Sequence, residues 1–275
     1  MSKTNSITFV VPVNDEYVYE SNFMESPLFK KNNKYQIIKQ TGFKSASIAY
    51  NQGINKSENE IIVFTHQDVV FPEFWEKELT DALAKLEKND PDWGVLGCFG
   101  KDARGEGFGF LFCTGNEKFF GKLLPHPVPV QTLDEVVLIL RKSNGLRFDE
   151  GLPHYHLYGT DICMSADREG RKCYAISAFC LHNTRKVYVF PQEFFECYKY
   201  IKEKWNEKLP IESSCIKIQK YGYMTYIKKR YYRYLKYRLG VLFGAGNRHN
   251  GDRDDPAILL PKLQREHNLQ YEKTA

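Results

Sequence analysis
Through its first two-thirds the chain alternates between two rhythms of apolar positions. Residues 7–13 (ITFVVPV) form a β-branched apolar run of strand length, and 35–39 form a second. Ser45 precedes a helical pattern carried by Ala46, Ala49, Tyr50 and Gly53, for which its hydroxyl is a suitable N-cap. Residues 60–65 (EIIVFT) read as a third strand. Pro72 suits a helix start, and Trp75, Leu79, Ala82, Leu83 and Leu86 follow at helical spacing. A further strand is expected at 93–99. Strands separated by single helices argue for an α/β fold, with a mostly parallel sheet covered by helices on both faces. After Phe99 the rhythm loosens. Residues 100–121 are glycine-rich and read as hairpins or a mobile loop. Strands are expected again at 136–140 and 173–176, with a helix at 158–169 stopped by Gly170. From Pro191 the chain reads as helical up to a polar break at 244–255, followed by a short tail at 256–269.

The most apolar strand ends abruptly. Ile61-Ile62-Val63-Phe64-Thr65 runs into His66-Gln67-Asp68. In a parallel sheet, ligands bind beyond the carboxyl ends of the strands. A carboxylate left there must be solvated, paired or metal-bound, because burying it alone is costly. The plainer alternative is that Asp68 caps the helix expected at Pro72.

Composition narrows the class. With 275 residues, 42% hydrophobic and 27% charged, the chain reads as a soluble globular protein of one large domain, or a domain with an appendage. No apolar run approaches the roughly 20 residues that span a bilayer. The first residues read as a strand and not as a signal peptide. The seven cysteines contain no C-x-x-C pair, which favours reduced thiols and a cytoplasmic setting. Residues 216–238 hold eight Lys or Arg, no acid and, among their neighbours, seven tyrosines. Those eight exceed the whole net charge of +5, so the remainder of the chain is formally acidic. A cationic, tyrosine-rich helix suits an anionic membrane surface or a lipid-diphosphate acceptor. The alternative is a solvated helix packed on the domain. Nucleic acid is not expected, because no recognition motif accompanies the charge.

Three stretches come in order and at plausible separations: VVPVND, SASIAYNQGINKSENEIIVFTHQDVVFPEFW, and LRFDEGLPHYHLYGTDICMSADREGRKCYAISAFCLHNT. Together they resemble bacterial family-two-type glycosyltransferases with a GT-A fold, of the sort found in capsule and surface-polysaccharide pathways. The resemblance covers roughly residues 6–184. It implies a GT-A-like domain at 1–184 and an inverting enzyme. Such an enzyme moves a sugar from a nucleotide sugar, expected to be UDP-linked, to a glycan or lipid-linked acceptor. Residues 185–275 add nothing to it and read, from their own pattern and charge, as a helical, basic extension. With the cytoplasmic setting that the cysteines favour, that extension suits a peripheral position on the inner face of the membrane.

The site residues follow from the same resemblance. Asp68 matches the second acid of the D-x-D motif, which holds the metal, and His182 matches a late histidine ligand. His66 replaces the first acid and either hydrogen-bonds the donor or reaches the metal, with Gln67 beside it. The cofactor implied is Mn²⁺ or Mg²⁺, and imidazole ligands favour Mn²⁺. Pro12, Val13 and Asn14 match the turn that edges the nucleobase. Lys44 and Asn51 fall on the donor side, and Asp134 matches an acid near the sugar. The base position has two registers. In one, Asp161 is the base, with His156 in reserve. In the other, Gly159 takes the base position. The first is preferred, because Asp161 is the only carboxylate between Glu150 and Asp167. The rival readings are a non-catalytic nucleotide-sugar or glycan-binding relative and a nucleotidyltransferase. The latter usually needs a glycine-rich phosphate loop with a basic residue after the first strand, and VVPVNDEY has neither.

Overall fold
The structure is a computed structural model that describes residues 7–30, 34–185, 190–221, 235, 239, 254–267 and 269. A seven-stranded mixed sheet forms the centre. Its strands are β1 (Ile7–Pro12), β2 (Gln36–Gln40), β3 (Ile61–Thr65), β5 (Leu96–Gly97), β9 (Val128–Val130), β11 (Val137–Arg141) and β12 (Cys173–Ala175). They lie in the order β2-β1-β3-β11-β5-β12-β9. The first three run parallel, and β11 enters antiparallel between β3 and β5. A second sheet holds β4 (Val69–Val70), β6 (Phe99–Lys101), β7 (Gly107–Cys113), β8 (Lys118–Lys122), β10 (Thr132–Leu133) and β13 (Cys180–His182). A small pair, β14 (Ile211–Glu212) and β15 (Lys217–Ile218), stands apart.

Helices cover both faces of the central sheet. In chain order they are α1 (Glu16–Val18), α2 (Pro27–Lys30), α3 (Ala46–Lys56), α4 (Trp75–Asn89), α5 (Tyr158–Arg168), α6 (Gln192–Lys204) and α7 (Pro256–Glu266). Strand alternation sends Val10, Ile62, Phe64 and Leu138 to one side, against Tyr50 of α3 and Ile162 of α5. It sends Phe9, Val11, Val63 and Ile139 to the other, against Trp75 and Leu79 of α4. Each such side chain fully buried contributes about 1.5–3 kcal/mol relative to exposure. Phe9 is the hub of an aromatic group, with ring centroids 5.2 Å from Phe29, 5.4 Å from Phe71 and 5.7 Å from Trp75. Gly53 lets α3 approach β1 closely, since a Cβ there would stand 2.3 Å from Val10 Cγ1.

The α/β expectation is met, with three local differences. The glycine-rich stretch takes the hairpin alternative, as the antiparallel strands β6, β7 and β8. The single strand expected at 93–99 is split, because β5 belongs to the central sheet and β6 to the second. After α6 the chain forms β14 and β15 instead of continuing as helix. The expected boundary at residue 184 also falls inside a shared core: Phe194, Tyr198, Ile201, Trp205 and Ile218 join the cluster around Val10 and Phe64. Further along, Leu260 and Leu263 of α7 pack on Val70, Phe110 and Leu181 of the second sheet. Most of the basic stretch at 216–238 lies outside the described residues. No described helix is long and apolar enough to cross a membrane.

Candidate functional site
The end of β3 explains the puzzle of its polar terminus. After Thr65 the chain turns through His66, Gln67 and Asp68 and joins the second sheet as β4. There Val69 pairs with His182 of antiparallel β13. That register sets His182 Nε2 3.3 Å from Asp68 Oδ1. The Asn183 N–H donates to the Asp68 carbonyl at 2.8 Å and holds the pairing. The His66 and His182 rings meet edge-on, 5.4 Å between centroids. One ligand atom from each of His66, Asp68 and His182 lies within 4.8 Å of the others. Asp68 does not cap α4, whose first turn begins at Trp75 with Phe74 in the cap position.

Tyr158, the first residue of α5, fixes His66. Its hydroxyl donates to the Glu135 carbonyl at 3.1 Å and meets His66 Nε2 at 2.8 Å. The contact engages Nε2, so Nδ1 is the ring nitrogen of His66 available to a ligand. Electrostatics then separates the two imidazoles. Burial, and next the charge of His182, push the His66 pKa down to about 4. Burial opposes protonation of His182 too, but the adjacent Asp68 carboxylate overrides it and raises that pKa to about 10. The site therefore favours positive charge beside Asp68 and keeps one neutral imidazole, and such a donor set fits a divalent cation.

The ends of β1 and β3 are clasped together. Gln67 Oε1 accepts from the N–H groups of Asn14 at 3.0 Å and Asp15 at 3.1 Å, and its amide donates to Asn14 Oδ1 at 2.6 Å. Pro12 closes β1, and the Val13 N–H donates to the Gln40 carbonyl at 2.7 Å. Asp134 receives the Val136 N–H at 3.0 Å, and its charge acts on His66. The structure thus joins Asn14 to Gln67 on the turn that carries His66 and Asp68, sets Asp134 within electrostatic reach of His66, and leaves Pro12 and Val13 paired with β2. His156 is half-buried, with its ring 5.5 Å from Phe194, and it too acts electrostatically on His66. Lys44 is exposed on the turn before α3.

Two of the expected residues are engaged in structural contacts. Asn51 is buried and spends its amide on structure. It donates to the Phe148 carbonyl and to Glu150, both at 2.9 Å, and accepts from the Phe148 N–H at 3.0 Å. It ties α3 to the loop before α5. Asp161 is 2% exposed, held by Lys204 Nζ at 2.8 Å and Trp205 Nε1 at 2.7 Å. A base must reach its substrate's proton, and this carboxylate instead ties α5 to the end of α6. Sequence reasoning passed over Glu135, whose carboxyl faces the N–H groups of Leu157, Tyr158 and Gly159 at the start of α5. The acid pair Asp134-Glu135 ahead of an apolar strand was the available signal.

Residues 8–208 match the sequence model of the Glycosyltransferase like family. The chain belongs to that family. One curated relative, "ATP synthase subunits region ORF 6" of Fuscovulum blasticum, is 26% identical over 145 residues, covering 50% of this chain and 57% of its own length. The match thus spans little more than half of that relative. Among solved structures, S. aureus TarS 1-349 in complex with UDP-GlcNAc is similar at a TM-score of 0.46 and 17% identity, over 72% of this chain and 66% of that one. The mannosyltransferase PcManGT from Pyrobaculum calidifontis, in complex with GDP-Man and Mn²⁺, is similar at 0.45 and 12% identity, over 68% and 59%. At these scores neither bears on the donor or metal of this protein.

Proposed function
We propose that this chain transfers a glycosyl unit from a nucleotide sugar, of the uridine diphosphate class, to a glycan or lipid-linked acceptor, with inversion. The observation that carries the reading is the convergence of His66, Asp68 and His182 at the carboxyl end of β3, beside the Asn14–Gln67 clasp. His66 Nδ1, Asp68 and His182 would hold Mn²⁺ or Mg²⁺. A bound divalent cation would neutralise the charge of a departing diphosphate. The clasp keeps the end of β1 rigid as an edge for the nucleobase, and Asp134 faces the sugar side. The basic, tyrosine-rich stretch at 216–238 would hold the enzyme near an anionic membrane surface. Sedimentation with anionic vesicles at low salt, and release at high salt, checks that placement.

The central test is thermal unfolding of the full chain with uridine, guanosine, cytidine and thymidine diphosphates. UDP is expected to raise Tm more with Mn²⁺ than with EDTA. A ligand at a hundredfold excess over Kd stabilises by about 2.7 kcal/mol. Absence of any nucleotide-dependent shift, with either metal, overturns the reading.

A further inference from the structure
We propose that Glu135 is the carboxylate that accepts the proton of the acceptor hydroxyl. This rests on the glycosyl-transfer reading above and supplies the residue it lacks once Asp161 is removed from the cleft. The register of β11 places Glu135 there. Val137 pairs with Thr65, so the residues just before it run alongside the His66–Gln67 turn. The Val136 carbonyl accepts from the Thr65 hydroxyl at 3.0 Å and from the His66 N–H at 3.4 Å. The Tyr158 hydroxyl links the Glu135 backbone to His66.

The first turn of α5 shows that the space is reserved for this side chain. A Cβ on Gly159 would stand 2.8 Å from the Leu133 carbonyl oxygen and 3.0 Å from Glu135 Cγ. The helix therefore presents backbone N–H groups and no side chain of its own at that point. The carboxylate is delivered from the opposite side, by the turn between β10 and β11. The carboxyl lies toward the backbone N–H groups of Leu157, Tyr158 and Gly159, which favour its charged form. Glu135 remains partly exposed, unlike Asp161. Burial, followed by the charge of Asp134, raises its proton affinity above that of an ordinary glutamate.

The step balances without a further reactant. The acceptor oxygen forms a bond to the anomeric carbon while the bond from that carbon to the diphosphate oxygen breaks. The diphosphate leaves with the bonding pair, and the hydroxyl proton passes to the Glu135 carboxylate and then to solvent. Water in place of the acceptor uses the same proton path, so slow donor hydrolysis reports on it.

The test measures UDP release from UDP-glucose, UDP-galactose and UDP-GlcNAc by the full chain with Mn²⁺, alongside the UDP-dependent Tm shift. Glu135→Gln is expected to keep the shift and to lose about 10²–10⁴-fold in release, the usual cost of removing a general base. A second variant guards against a purely structural effect. Glu135→Asp keeps a carboxylate on the same turn and is expected to retain more release than Glu135→Gln, which a purely structural role of the side chain would not produce. Release by Glu135→Gln near the wild-type rate overturns the assignment of the base and leaves the transfer reading standing. A wild type that binds UDP with Mn²⁺ yet releases nothing from any donor overturns both and favours a non-catalytic binding protein.

Discussion

Asp68 and Asp161 are both interior carboxylates with a cationic nitrogen close by: His182 at 3.3 Å in one case, Lys204 at 2.8 Å in the other. Their surroundings differ. Asp68 follows the end of β3 in the central sheet, its partner His182 comes from β13 of the second sheet, and its side chain keeps 11% exposure. The partners of Asp161, Lys204 and Trp205, come from the end of α6, and its side chain keeps 2%. Lys204 is further fixed by Asp149 at 2.6 Å. A carboxylate whose partner is an imidazole at a chain turn can exchange that partner for a metal. One enclosed by an ammonium and an indole is a structural tie. The pair teaches that burial beside a cation is not by itself the mark of a functional site, and that the chemistry of the partner separates the two cases.

The largest expected effect breaks the first member of this pair. Asp68→Asn keeps the volume and removes the charge. It should abolish the Mn²⁺-dependent part of the UDP-induced Tm shift and reduce nucleotide release by more than about 100-fold, since even outer-shell changes at metal sites cost about 10–100-fold. An unchanged metal-dependent shift would show that the cation is held elsewhere. The next breaks the second member. Asp161→Ala leaves a buried ammonium and an indole N–H without their acceptor and should cost about 3–5 kcal/mol in urea unfolding. Release per folded molecule should persist. Asp161→Leu combined with Lys204→Met should recover much of that loss, because replacing both ions together removes the uncompensated charge. Greater loss in the double variant would sink the idea of a mutual tie.

A third interior carboxylate sharpens the contrast with the smallest effect. Glu78 on α4 accepts the Phe179 N–H at 2.8 Å, and burial raises its pKa to about 8. Its folded state holds the proton more firmly than the unfolded chain does. The stability this gives is full below the ordinary glutamate pKa and is lost as pH rises through about 8. Glu78→Gln removes that dependence. The Tm of the variant minus that of the wild type should therefore rise between pH 5 and pH 9, as read by calorimetry. A difference independent of pH would mean that Glu78 titrates normally.

Much of the fold was readable from local pattern. The run IIVFT, the alternation of Phe9, Val10 and Val11, and the repeat Trp75–Leu79–Leu83–Leu86 each carry their buried face in their own spacing. Residues 100–121 were not, because glycines permit hairpins and loops alike, and it is pairing with β6 and β8 that orders β7. The candidate site divides in the same way. His66-Gln67-Asp68 stood out as polar residues ending an apolar strand. The engagement of Asn51 with Phe148 and Glu150 left no local trace, since an asparagine on a helix looks the same whether its amide is free or used.

The order of residues along the chain dictated which segments become strands and helices and which strand ends in polar groups, because hydrophobic period is a local property. Folding in three dimensions settled which side chains meet. The β4–β13 register brings Asp68 to His182, and α6 closes Asp161 between Lys204 and Trp205. The packing of Gly159 on the β10–β11 turn gives its place to Glu135. These outcomes depend on strand register and on contacts between segments far apart in the chain. A one-residue slip in either would turn each side chain to the opposite face.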